Sequence, residues 1–275
     1  MNPIEQVLHY QYLQHALLGG VLVAVVCGVL GVFLVLRGLS LLGDGLAHVS
    51  FGGVALGLTV SFYPTYVALA FTIAGALLIH LLRTRGIVRG DTAIGILFTT
   101  GLAFGRVLLS RGSFNVNVDS LLFGQLLGVP ESDLPVVLVV GVGLLVLLGL
   151  FRKEFFYMTY SEPGAQVAGL PVQPLNALFM ALTATAIVVA SKMVGVLLVS
   201  ALLIMPAAAS LQLARSFNKA ILFSVVFGLA SVAAGFWFSL GPGHFPTGAS
   251  IALCSSALFA AAALARPLLR RAPSA

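Results

Sequence analysis

Charge is what this sequence has least of. Of its 275 residues only 22 are charged (14 Lys+Arg and 8 Asp+Glu), or 8%. A soluble domain carries about 25%. The apolar set reaches 60% before the 30 glycines are added, and the mean hydropathy is +1.10. A water-soluble chain of this size keeps roughly a quarter of its surface wet, and there is too little polar surface here to cover that area. A soluble enzyme, a disordered chain and a fibrous repeat are excluded. What fits is a polytopic membrane protein, read as one all-α transmembrane domain over residues 1–275.

Other things are scarce too. The two cysteines, Cys27 and Cys254, sit inside apolar stretches. They make neither a disulfide framework nor a metal-type spacing, and read as small buried apolar residues. Residues 1–15 hold no Lys or Arg, so the charged start of a cleavable signal peptide is missing. A phosphate-binding loop needs Gly-Lys ahead of Ser or Thr. The lysines here, Lys153, Lys192 and Lys219, follow Arg, Ser and Asn. If ATP drives this protein, another subunit must hydrolyse it. Neither His-Glu-x-x-His nor Gly-x-Ser-x-Gly occurs, which leaves an intramembrane hydrolase without its chemistry. The net charge of +6 does not point to nucleic acid, because the basic residues form no stripe.

What is there is a series of long apolar runs. A bilayer core needs about 20 predominantly apolar residues per helix. Such runs are predicted at about 14–36, 41–60, 63–82, 92–109, 134–151, 174–194, 195–213, 219–240 and 248–267. None alternates like a barrel strand, and backbone groups in lipid must be satisfied within the segment. The pattern predicts a bundle of eight to ten spans. Residues 119–129 also fit a short re-entrant helix, and Pro206 marks a place where its span can break. Arg37, Arg83, Arg85, Arg89, Arg152, Lys153, Arg215, Lys219, Arg266, Arg270 and Arg271 can all lie on one side, against Arg106, Arg111 and Lys192 on the other. The heavier side is cytoplasmic.

In such a chain a titratable residue within a span is a functional candidate by default. The clearest case is Leu42-Gly43-Asp44-Gly45-Leu46-Ala47-His48. Asp44 and His48 are four apart and share one helical face. A carboxylate and an imidazole one turn apart suit a borderline divalent ion. A plain Asp–His hydrogen bond between packed helices is the alternative. Counting from Leu41 at 1.5 Å per residue places Asp44 about 5 Å and His48 about 10 Å deep, shallower than the midplane expected of a transport site. Either the Arg37 to Ser40 turn is sunk in the bundle or the local topology differs. Asp119, ahead of Leu122-Phe123-Gly124, reads as a ligand or as a helix cap. Asn117 offers a neutral oxygen. His244 lies in the Pro/Gly-rich outer loop 241–247, as an uptake ligand or a solvated histidine. Asp91 reads as an N-cap. Ser161-Glu162-Pro163 opening and Gly169 closing a short polar stretch predict a stubby cytoplasmic helix.

Together these residues resemble the permease subunits of the bacterial zinc/manganese ABC transporter family, over about 12–267. The carriers are Arg37 to His48 with Gly52 to Gly57, Asp91 to Ile96, Leu122-Phe123-Gly124, the short helix up to Pro171, and Val194 to Ala209. The Gly-Asp-x-x-x-His and Leu-Leu-Ile-x-Pro-Ala-Ala elements are the specific ones. The resemblance implies a homodimer in the bacterial plasma membrane, with no permanently bound cofactor. It implies a cytosolic ATP-binding subunit docked on the short helix, here Ser161, Glu162, Pro163, Gly164, Ala165, Val167 and Gly169. It implies an extracytoplasmic metal-binding protein that delivers the ion. Asp44 and His48 would line the metal path. The acidic residue before Leu-Phe-Gly would join them, as Asp119 or nearer Asn117. His244 stands where an acidic residue is common. The string Gly-Asp-Gly-Leu-Ala-His favours zinc over manganese or iron. An ion-coupled secondary transporter is the other reading, with Asp44, His48 and Asp119 as a proton relay.

Overall fold

A computed structural model describes residues 9–88, 90–111, 134–240 and 245–271. Asn117, Asp119, His244 and the 119–129 segment lie outside the described residues. The chain is helical in the order α1 (Gln11–Leu36), α2 (Leu42–Thr59), α3 (Pro64–Thr84), α4 (Gly90–Arg111), α5 (Leu134–Leu150), α6 (Arg152–Tyr160), α7 (Glu162–Val167), α8 (Val172–Val194), α9 (Val196–Leu213), α10 (Phe217–Leu240) and α11 (Thr247–Arg271). Each predicted span corresponds to one of these helices.

Among the described residues six helices are long and apolar enough to cross a membrane, or seven if the α5–α6 pair, bent by 63°, is one span. This corrects the expected eight to ten. The difference lies in α2, an 18-residue helix, and in α9, of which Leu198–Leu213 counts as a shorter apolar helix. Asp44, His48 and five glycines (Gly43, Gly45, Gly52, Gly53 and Gly57) thin the apolar content of α2. It is lodged against α3, α4, α8 and α9, so its environment is set by other helices.

α1 and α8 form the centre. Their apolar windows are 67% and 61% buried, against 22–33% for α3, α4, α10 and α11. α1 is apolar all round, as a core helix should be, and packs against α8, α9, α10 and α5. At one end Phe33 gathers Phe155, Phe179 and Phe217 at centroid distances of 6.3, 6.1 and 5.1 Å, edge-to-face geometry that favours aromatic pairs. α6 was not predicted. It lays Phe155 and Met158 into this cluster.

Two other expectations changed locally. Pro206 sits inside a helix that runs unbroken from Val196 to Leu213. Its ring removes one backbone bond, and the tightly packed neighbours of α9 hold the helix together. Asp91 is within the first turn of α4 rather than at its cap, where the positive helix end still favours a carboxylate.

The turn that leads into α2 is built by its sequence. Gly38 adopts φ +65°, a conformation nearly free for glycine and costly for other residues. It lets Gly38 N–H donate to Val35 O (3.1 Å) and Leu39 N–H to Leu34 O (2.8 Å), a paired closure of the helix end. Leu39 and Leu42 are then buried, and Leu42 N–H donates to Leu39 O at 3.0 Å.

Candidate functional site

Asp44 is in the first turn of α2, and its flanking glycines decide where it faces. Successive residues of a helix turn by about 100°, so Gly43 and Gly45 lie on nearly opposite sides with Asp44 between. A Cβ at Gly43 would stand 3.2 Å from Leu203 Cδ1 and 4.0 Å from Ser200 Oγ, both on α9. A Cβ at Gly45 would stand 2.7 Å from Ile94 Cγ2 on α4. Asp44, half-buried, therefore heads the seam between α9 and α4, and His48 continues it one turn on.

His48 is 6% exposed. Its ring meets the Phe98 ring edge-to-face at 4.3 Å. α4 comes this close because a Cβ at Gly101 would sit 2.9 Å from His48 O, and one at Gly52 2.9 Å from Gly101 O. Only glycine at both positions allows the contact. The buried Nδ1 of His48 has no hydrogen-bond partner. Among the described residues no hydrogen bond joins it to Asp44. The helix-glue reading needs that bond. Leaving a buried polar atom unpaired costs about 1–3 kcal/mol, and a cation is a partner that removes the cost. Asp44 and His48 remain a pair, since no cluster of three His, Cys, Asp or Glu forms among the described residues.

Ser200 was missed by sequence reasoning. It is 6% exposed, its hydroxyl is unpartnered, and it borders Gly43. A lone hydroxyl inside the apolar run Val196 to Ala209 was the available signal.

The turn before α2 begins at a heavily bonded arginine. Arg37 Nε donates to Thr159 Oγ1 (2.9 Å), Nη1 to Asn176 Oδ1 (3.0 Å) and Nη2 to Phe155 O (3.1 Å). Its guanidinium lies 4.2 Å over the Phe179 ring. Through Arg37 the start of the turn is fastened to α6 and α8. Burial pushes the Arg37 guanidinium down to about 10, and the Glu162 carboxylate pulls it back up. Arg37 stays charged at neutral pH.

The short helix predicted near 161–169 is α7. Ser161 is its N-cap, accepting from Gly164 N–H at 3.0 Å, with Pro163 in the first turn. Gly169, at φ +81°, closes it by donating to Gln166 O, while Leu170 donates to Ala165 O, both at 3.0 Å. Ala165 is fully buried and Val167 is 91% exposed. Glu162, Pro163, Gln166 and Gly169 are exposed as well. Beside it a cavity of about 440 Å3 is lined by Arg37, His80, Arg83, Glu162, Gln173 and Asn176 among others. α7 thus has one anchored side and one free side.

The sequence profile of the ABC 3 transport family matches residues 9–266. The chain belongs to that family. The manganese transport system membrane protein MntC of Halalkalibacterium halodurans is 37% identical over 260 residues, covering 94% of this chain and 88% of that one. The manganese import system permease protein ScaB of Streptococcus gordonii is 32% identical over 255 residues, 92% and 91% of the two chains. Among solved structures, PsaBC from Streptococcus pneumoniae in complex with Fab superimposes at a TM-score of 0.85, with 31% identity and 94% of each chain covered. As an ABC 3 transport family member the chain is a multi-pass permease of the bacterial plasma membrane, and not an enzyme. The fold read from its sequence is that of an ABC permease.

Proposed function

We propose that this permease carries a divalent transition metal ion into the cell, and that the ion is manganese. The observation that carries the reading is the pair Asp44 and His48, one turn apart on a glycine-flanked seam, with the imidazole Nδ1 buried and unpartnered. A mixed carboxylate and imidazole pair accepts both manganese and zinc. The sequence string favoured zinc. The names of relatives sharing 37% and 32% of their residues favour manganese, and the proposal follows them.

A divalent ion needs more donors than two side chains offer. A second copy of the chain facing the same seam doubles the set, which is the role of the homodimer here. Asp119 or Asn117, and His244 at the outer mouth, are the remaining protein donors proposed. A translocation site must also release its ion, so few ligands suit it. The cytosolic ATP-binding subunit docks on the free side of α7, contacting Glu162, Pro163, Val167 and Gly169, while Ser161, Gly164 and Ala165 hold the helix in shape. An extracytoplasmic metal-binding protein delivers the ion on the opposite side.

The test is manganese accumulation by cells whose only importer is this one. Loss of outer groups around a metal typically lowers affinity about 10–100-fold, so removing two direct ligands should cost at least as much. Asp44→Ala with His48→Ala is expected to reduce uptake at least tenfold while the complex still assembles in the membrane. Wild-type accumulation by the assembled double variant would refute the site.

A further inference from the structure

We propose that Arg37 is the positioning residue that ties the coupling helix α7 to the ion-binding helix α2, through the chain Glu162–Asn176–Arg37. This rests on the reading of α7 as the ATPase dock.

The chain is continuous in hydrogen bonds. Glu162, the first residue of α7, accepts from Asn176 Nδ2 at 3.0 Å. Asn176, on α8, accepts in turn from Arg37 Nη1 at 3.0 Å. The amide is oriented by charge at both ends, its carbonyl to the guanidinium and its N–H to the carboxylate. Arg37 is the C-cap of α1, and α2 begins five residues later at Leu42. Those intervening residues are not slack. Their backbone closes on itself through Gly38, Leu39 and Leu42, and Leu39 and Leu42 are buried. A displacement of Arg37 is therefore passed to the first turn of α2, where Asp44 sits.

The guanidinium is also fully committed. Its three nitrogens have acceptors on two helices, α6 and α8, and its face covers Phe179. A planar fork spreads its donors over three nitrogens in fixed directions, whereas the three donors of an ammonium radiate from a single atom. Of these partners only Asn176 passes the chain on by a side-chain hydrogen bond to α7, whereas Thr159 and Phe155 sit on α6, which adjoins α7 through Ser161. Thr159 and Phe155 hold the guanidinium in place while the Asn176 arm transmits. Glu162 is exposed beside Val167, so a subunit that grips α7 has the first link of the chain in reach.

The experiment uses the full complex with its ATP-binding subunit and metal-binding protein, reconstituted in vesicles with manganese chloride as the probe. It reads ions moved per ATP hydrolysed. Asn176→Ala cuts the transmitting arm and leaves Arg37 held by Thr159, Phe155 and Phe179. It is expected to keep basal ATP hydrolysis and to lower the ion-to-ATP ratio at least fivefold. Arg37→Lys is expected to do the same. A merely structural role would lower assembly and both rates together and leave the ratio unchanged, and an unchanged ratio in Asn176→Ala overturns the proposal. If Arg37→Lys fails to assemble, Asn176→Ala alone decides. A wild-type complex that hydrolyses ATP without moving manganese or zinc would overturn the transport reading itself, an outcome distinct from a wild type that works alongside variants that also work.

Discussion

Asp44, His48 and Ser200 are polar residues set among apolar helices, Asp44 half-buried and the other two buried. Each has a different status. Asp44 stands in the first turn of a helix, where the macrodipole favours a negative charge by about 0.3–1 kcal/mol. His48 is buried with an unpaired nitrogen, and Ser200 is buried with an unpaired hydroxyl. An unpaired hydroxyl costs stability in the resting protein, about 1–3 kcal/mol when fully desolvated. Ser200→Ala is therefore expected to leave thermal unfolding in detergent unchanged or shifted upward. A clear loss of stability would mean that the hydroxyl has a partner after all. At this scale the sequence was legible wherever a polar residue broke an apolar run, as Asp44 and His48 do. It was illegible for Arg37. A basic residue at a helix end reads as a topology signal, and the acceptors that give it another task lie 118 to 139 residues away in the chain.

The helices follow from hydrophobic runs bounded by Gly, Pro and charge, which is why each predicted span falls on a helix, although fewer of these helices qualify as spans. Periodicity could not separate helices that face lipid from helices enclosed by other helices. α2 is the instance: its glycines and its two titratable residues look like a weak span, and its neighbours make it an interior one. α6 escaped notice because nine residues carrying Arg152, Lys153 and Glu154 look like a loop. Its Phe155 and Met158, three apart, were the amphipathic sign. The α2–α4 contact depends on Gly52 and Gly101, with backbone atoms 2.9 Å from where a Cβ would stand. Backbone cannot yield as a flexible side chain can. Gly101→Ala is expected to destabilise the protein by about 1–3 kcal/mol, in line with other overpacked interiors. It should also lower transport, because His48 O is the atom it strikes. Thermal unfolding beside uptake measures both, and an unaltered melting temperature would show that the helices separate without cost.

At the scale of the whole molecule, polar and charged side chains gather at one end and a seam leads away from it. Arg37, Arg83, Glu162 and Asn176 share one cavity, α7 presents a free face beside it, and α2 carries the Asp44–His48 pair onward from the turn that Arg37 pins. Charge was scarce in the sequence, and it is concentrated where it does most. The positive-inside pattern predicts that the basic residues lie at the cytoplasmic end, and one of them, Arg37, hydrogen-bonds to α6 and α8. Membership of the ABC 3 transport family is in keeping with a chain whose sequence has no phosphate-binding loop of its own. The choice of ion is the claim on which the functional reading turns. It is tested most directly by ATP-driven uptake into vesicles containing the reconstituted complex, with manganese and zinc supplied separately at equal free concentration. The account predicts ATP-dependent accumulation of manganese in preference to zinc, lost in the Asp44→Ala, His48→Ala double variant. Accumulation of zinc alone, or undiminished manganese uptake by the double variant, would contradict it.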